Sequence, residues 1–261
     1  MVESLMGLLD ALDSVRKVLR LPPRSRARQA PPPRQLPTVA AVVAALRTID
    51  TELDHHDGVW QFNRMYLQVT ELVDERIREG YFANAAFMER LDIVFAHLYL
   101  DTVQADAEGR HIAECWEPVF DQRDQPLVPI QFAVAGMNAH INHDLGVAVV
   151  ATCQQLGLSP SSPGVHADYV KVTGLLAEVH EQVRQRFLNG VVLSVDRELS
   201  PLLTLMGSWS IARAREAAWT NSEVLWELRD SPVLRDSFQL SLCRAVGLAG
   251  RTLLVRVAAP I

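Results

Sequence analysis

The stretch IQFAVAGMNAHINHDLGVAVVATCQQL, from Ile130 to Leu156, constrains this chain more than any other. Its spacing predicts one long helix stopped by Gly157, apolar on every side from Ile130 to Met137 and again from Leu145 to Ala151. A helix without a polar face needs neighbours all round. It therefore belongs at the centre of a bundle, and the rest of the chain must supply the helices that cover it.

The remainder suits that task. Thr38 caps a helix over Val39 to Leu53, a second runs from about Val59 to Glu79 and ends at Gly80, and a third covers Asn84 to Ala107, closed by Gly109. A short helix over Ile112 to Phe120 precedes a loop at Pro126 and Pro129. His166 to Leu188 and Trp209 to Arg229 also read as helices, and a last one starts near Pro232, where proline suits the first turn. Only Val191 to Val195 resembles a strand. The expected fold is all-α: a single bundle of about eight helices over residues 38–261.

Ahead of the bundle, Leu5, Leu8, Leu9, Leu12, Val15 and Leu19 predict an amphipathic helix at residues 1–20, able to pack back, dock a partner or touch a membrane surface. A Pro/Arg-rich linker at 21–37 follows, with six of the chain's 14 prolines. The whole chain carries a net charge of −6, and residues 1–37 are net basic, so the body is more acidic still. That balance argues against nucleic-acid binding, which needs a basic face. No stretch is apolar for the roughly 20 residues of a bilayer crossing. Cys115, Cys153 and Cys243 form no disulfide framework or CxxC knuckle, so a reducing cytoplasm is expected, with Cys153 and Cys243 as core fillers.

The middle of the central helix breaks its apolar pattern with Asn138, His140, Asn142, His143 and Asp144. At about 100° per residue, His140, His143 and Asp144 share one face and the two asparagines another. A buried cluster of this kind must be satisfied by hydrogen bonds, a metal or a ligand. In the third helix His97 and Asp101 repeat the spacing of His140 and Asp144. Facing each other, the two pairs could hold zinc or another divalent ion, with His140, Asp144, His143, His97 and Asp101 as ligands; a hydrogen-bonded core cluster accounts for the spacing equally well. Candidate catalytic residues are His140, Asp144, His143, Asn138 and Asn142, joined by Asn63, Arg64 and Tyr66 of FNRMYLQV, where Arg64 either clamps an anion or bridges helices. His55, His56 and Asp57 either add ligands at the mouth of the site or form a solvated turn. Trp219 and Trp226, seven apart, read as core packing. P-loop, GxSxG and HExxH patterns are absent.

The blocks DGVWQFNRMYLQVT, FMERLDIVFAHLYL, PIQFAVAGMNAHINHDLGVAVV and ARAREAAW resemble an uncharacterised all-helical actinobacterial family that shares an AHINHDL-type block. The likeness runs from about Asp57 to the C-terminus and implies no activity. It marks Asp57, Asn63, Tyr66, Asp92, Gln131, Asn138, His140, Asn142, Asp144 and Trp219 as family-type positions. More distantly, His140 and Asp144 are similar to the HxxxD element of the zinc-dependent phospholipase C and P1-type nuclease group. That group's further histidine and N-terminal tryptophan ligand are missing at matching positions, which implies a reduced site of one or two metals.

The resulting expectation is an enzyme with a buried His/Asp site, a divalent-metal hydrolase of a lipid-like or phosphoester small molecule. The alternatives are a metal-free cyclase, isomerase or lyase using His140 and Asp144 as an acid–base pair, and a non-catalytic protein holding a hydrophobic ligand.

Overall fold

The computed structural model describes residues 36–176 and 210–255. The helix expected at 1–20, most of the linker, the later turns of the helix from His166 and the strand-like Val191 to Val195 lie outside them. The helices are α1 (Val39–Glu52), α2 (Gly58–Arg78), α3 (Ala85–Ala107), α4 (Glu117–Asp121), α5 (Pro129–Ala139), α6 (Leu145–Leu156), α7 (Ile211–Glu227) and α8 (Pro232–Leu253). A π-helical segment, His140–Asp144, joins α5 to α6, and residues 165–176 are also helical. There is no strand among the described residues, which pack as one all-α bundle.

Local chemistry sets the helix ends where the sequence places them. The Thr38 hydroxyl accepts from the Ala41 N–H at 3.2 Å, the Asp57 carboxylate from Val59 at 2.8 Å and the Asn84 side chain from Phe87 at 3.0 Å. Gly157 ends α6 with φ of 64°, a left-handed conformation that glycine adopts without strain. The short helix is a correction. It begins at Glu117 rather than Ile112, because residues 113–116 form a turn that lets the neighbouring Cys115 and Trp116 both point into the core.

The central position of the long rod holds. Every residue from Gln131 to Ala139 is buried, with α2 and α8 packed on α5, and α3 and α7 packed on α6. Close packing on α2 is reciprocal. A Cβ at Gly58 would fall 2.3 Å from the Phe132 ring, and one at Gly136 would fall 2.4 Å from the Phe62 ring, so each phenylalanine sits on the other helix's glycine. On α8, a Cβ at Gly247 would lie 2.5 Å from the Glu114 carbonyl oxygen, which brings this helix against the turn holding Cys115.

The rod is not one uninterrupted α-helix. The Leu145 N–H bonds the His140 carbonyl, a wider turn that takes in one additional residue at the polar cluster. The even angular spacing assumed from an α-helix therefore does not apply between His140 and Asp144. The fold gains a turn in which both histidines reach one carboxylate.

Candidate functional site

Asp144 is the hub of the site. One of its oxygens accepts from the Trp116 indole N–H at 2.9 Å and lies 3.1 Å from His140 Nδ1; the other lies 2.8 Å from His143 Nδ1. Indole is a donor only, so Asp144 is an acceptor here. Burial alone would raise its pKa, but the hydrogen bonds and charges of His140 and His143 outweigh it and hold the carboxyl below its usual range. An ionised Asp144 draws the proton of each imidazole to Nδ1. In each neutral ring the Nε2 lone pair then faces away from the hub.

The two histidines differ in surroundings. His140 stands in an aromatic box: its ring stacks on Phe95 with centroids 3.6 Å apart and meets Tyr66 edge-on at 4.5 Å, with Phe62, Tyr99 and Trp116 around it. Burial lowers its pKa, favouring the neutral ring, and its Nε2 is buried with no hydrogen-bond partner. The nearby Tyr66 hydroxyl is likewise buried, and Thr70, whose hydroxyl donates to the Tyr66 carbonyl, is the polar side chain beside it. For His143, burial works against the charged form, but Asp144 prevails and the pKa is raised.

His143 also meets two residues the sequence reading did not join to the site. One ligand atom each from Cys115, His143 and Cys243 lies within 4.8 Å of the others, a group that could hold a metal ion. The Cys115 N–H donates to Cys243 Sγ at 3.2 Å. The cysteine contact lowers the Cys243 thiol to about 6, helped by His143, while the same contact, then burial, raises Cys115. These cysteines lie 128 positions apart, and Cys243 reads as core filler by composition. The available signal is Gly247, one turn beyond Cys243, where a missing side chain marks a close backbone approach.

Other expected site residues divide. Tyr66 joins the box. Asn142 donates to Asn138 at 3.1 Å and Asn138 donates to the Val246 carbonyl at 2.9 Å, so this pair fastens the rod to α8. Asn63 donates to the Leu46 carbonyl and accepts from the Tyr99 hydroxyl, which commits both ends of its amide to structure. Of the two readings of Arg64 the structure shows the helix bridge and not the clamp: it pairs with Asp50 at 3.2 Å and lies over Trp60 on the outside of the bundle. His97 and Asp101 are corrected. Phe95 and Tyr99 turn toward His140, which leaves His97 on another face of α3, where its Nε2 accepts from the Leu36 N–H; Asp101 is exposed. The facing HxxxD pairs therefore do not form. His55 and His56 are exposed, while Asp57 caps α2 and binds Arg123. Trp219 is buried against Tyr169, and Trp226 packs against the core.

Among known proteins, the model of a family of unknown function, DUF5995, matches residues 39–256, which takes in α1 as well as the blocks noted above. No curated protein and no solved structure matches. The likeness to the phospholipase C and P1-type nuclease group is not shown, and here His140 and Asp144 hydrogen-bond each other. No helix among the described residues is long and apolar enough to cross a membrane.

Proposed function

The chain belongs to this family of unknown function, which brings no activity with it, and we propose from its geometry that it is a divalent-metal hydrolase using Cys115, His143 and Cys243 as ligands. The observation that carries the reading is the approach of two sulfurs and an imidazole nitrogen to within 4.8 Å, with the Nδ1 of that imidazole held by Asp144. Two thiolates and a histidine suit zinc and leave a fourth position, as in catalytic zinc sites. A carboxylate behind the ligand histidine fixes its tautomer and raises its basicity. Bound there, the ion would lower the pKa of a water.

The chain's own residues supply the rest. In this reading His140, sharing Asp144 with His143, is the general base: its unpartnered Nε2 would take a proton from the attacking water and return it to the leaving oxygen as the ester or phosphoester bond breaks. Phe62, Phe95 and Tyr66 around it favour a substrate with an apolar, lipid-like portion.

Elemental analysis of the reduced, purified chain tests this reading, with about one zinc per chain expected. Cys243→Ser and His143→Ala lose the metal; His140→Ala keeps it and loses turnover of chromogenic ester and phosphodiester substrates. Absence of metal both on purification and in titration, or retention of metal by the Cys115→Ser/Cys243→Ser double variant, overturns it.

A second reading is favoured by the Cys115 N–H bond to Cys243 Sγ. In it Cys243 is a thiolate nucleophile, with His143 as its base and Asp144 as the orienting carboxylate. Rapid alkylation of Cys243 in metal-free protein, abolished by His143→Ala, distinguishes it.

A further inference from the structure

On another face of α7 lies a groove that the proposed metal site does not use. It runs between residues 165–176 and α7, has a volume of about 580 Å³ and is walled by His166, Tyr169, Arg215, Glu216, Trp219 and Glu223, among others. Arg215 is its unusual member. Only 5% exposed, it donates from Nε to the Thr173 hydroxyl at 3.0 Å and from Nη2 to the Tyr169 carbonyl at 2.8 Å, with its guanidinium 4.2 Å from the Tyr169 ring centroid. None of these partners is an anion, and among the described residues no carboxylate pairs with it.

The other buried arginine among the described residues behaves differently. Arg123 is held between Asp57 and Asp106, as expected where a buried guanidinium serves structure alone. Arg215 has its head fixed by two neutral acceptors, which leaves Nη1 without a hydrogen bond among the described residues. A buried, oriented and uncompensated cation on a groove wall is a receptor for an oxyanion.

A simple anion would also meet Glu216 and Glu223 in the same groove. Glu223 is anchored by the Trp219 indole N–H at 3.0 Å. Beside these carboxylates stand Trp219, Tyr169 and His166, with ring centroids 4.5 Å apart for His166 and Trp219 and 4.8 Å for Tyr169 and Trp219. Carboxylates beside aromatic rings suit an ammonium group. We propose that this groove binds a small zwitterion, its phosphate or carboxylate on Arg215 and its ammonium among Glu216, Glu223 and the aromatic wall.

Calorimetric titration of the full chain at constant ionic strength tests the assignment. The four probes are phosphocholine, glycine betaine, inorganic phosphate and choline chloride. At least one zwitterion binds about tenfold more tightly than either probe that carries charge of one sign only. Which zwitterion it is tells a phosphate ester from a free carboxylate. Arg215→Met abolishes that binding. Because that variant removes contacts to Tyr169 and Thr173, the exposed Glu216→Gln is the second arm: it weakens the zwitterion and strengthens phosphate. The proposal is overturned if neither zwitterion binds, if phosphate or choline binds as tightly, or if Glu216→Gln leaves the order of affinities unchanged.

Discussion

Asp92 illustrates how burial acts on a single group. Its Oδ2 is buried without a partner, and burial, followed by the charge of Asp74, pushes its carboxyl up to about 7. From about pH 4, where an unfolded aspartate ionises, to about pH 7, the native chain holds a proton that the unfolded chain has released. Stability attributable to this residue therefore falls as pH rises through that window. Asp92→Asn removes the slope, and urea unfolding at pH 8 should show the variant more stable by about 1–4 kcal/mol. At this scale the sequence revealed what is contiguous. His140, His143 and Asp144 stand together in five residues, and an apolar rod makes them conspicuous. Cys115 and Cys243 meet through packing of distant segments, which no local pattern encodes. Arg64 was ambiguous because a charged residue on an amphipathic helix reads alike whether it faces a site or bridges to Asp50.

Helix limits were legible where a side chain or a glycine enforces them. Thr38, Asp57 and Asn84 satisfy free N–H groups, and Gly80, Gly109 and Gly157 take positive φ. The late start of α4 and the π-helical segment were not, since each depends on what the side chains find once packed: a core for Trp116, a shared carboxylate for two histidines. The approach of α8 to the Cys115 turn yields a prediction for the element. Gly247→Ala places a Cβ against the Glu114 carbonyl, a backbone atom that cannot swing aside. Overpacking of this kind destabilises by about 1–3 kcal/mol. Because it pushes Cys243 from Cys115, the zinc affinity that the proposed site predicts should fall by about tenfold in a competitive chelator titration, whereas Gly250→Ala, whose Cβ meets the Pro118 ring at 3.1 Å, should affect it less.

At the scale of the molecule, Arg123 joins elements far apart in sequence. Its guanidinium binds Asp57 at the start of α2 and Asp106 near the end of α3, and its carbonyl accepts from the Gly58 N–H. Arg123→Met takes the guanidinium away from the buried Asp106 and the part-buried Asp57, and equilibrium unfolding should show a loss of about 3–5 kcal/mol. That change acts without touching the proposed ligands, so under the metal-site reading the zinc stoichiometry of the protein that remains folded stays that of the parent. The bundle as a whole was readable in advance because its central rod has no polar face. The network around Arg123 was not, because Asp57 reads from the sequence as a ligand at the mouth of the site or as part of a solvated turn.

The wide turn at His140–Asp144 makes the two halves of the rod separate gears on one shaft. The wide turn absorbs one extra tooth, so the two gears stay in phase, α5 meshed with α2 and α8 and α6 with α3 and α7. Excising a single residue there would restore regular winding and leave both gears engaged, changing only how His140 and His143 meet Asp144. The detour in the shaft thus serves the cluster of polar side chains and not the frame around it.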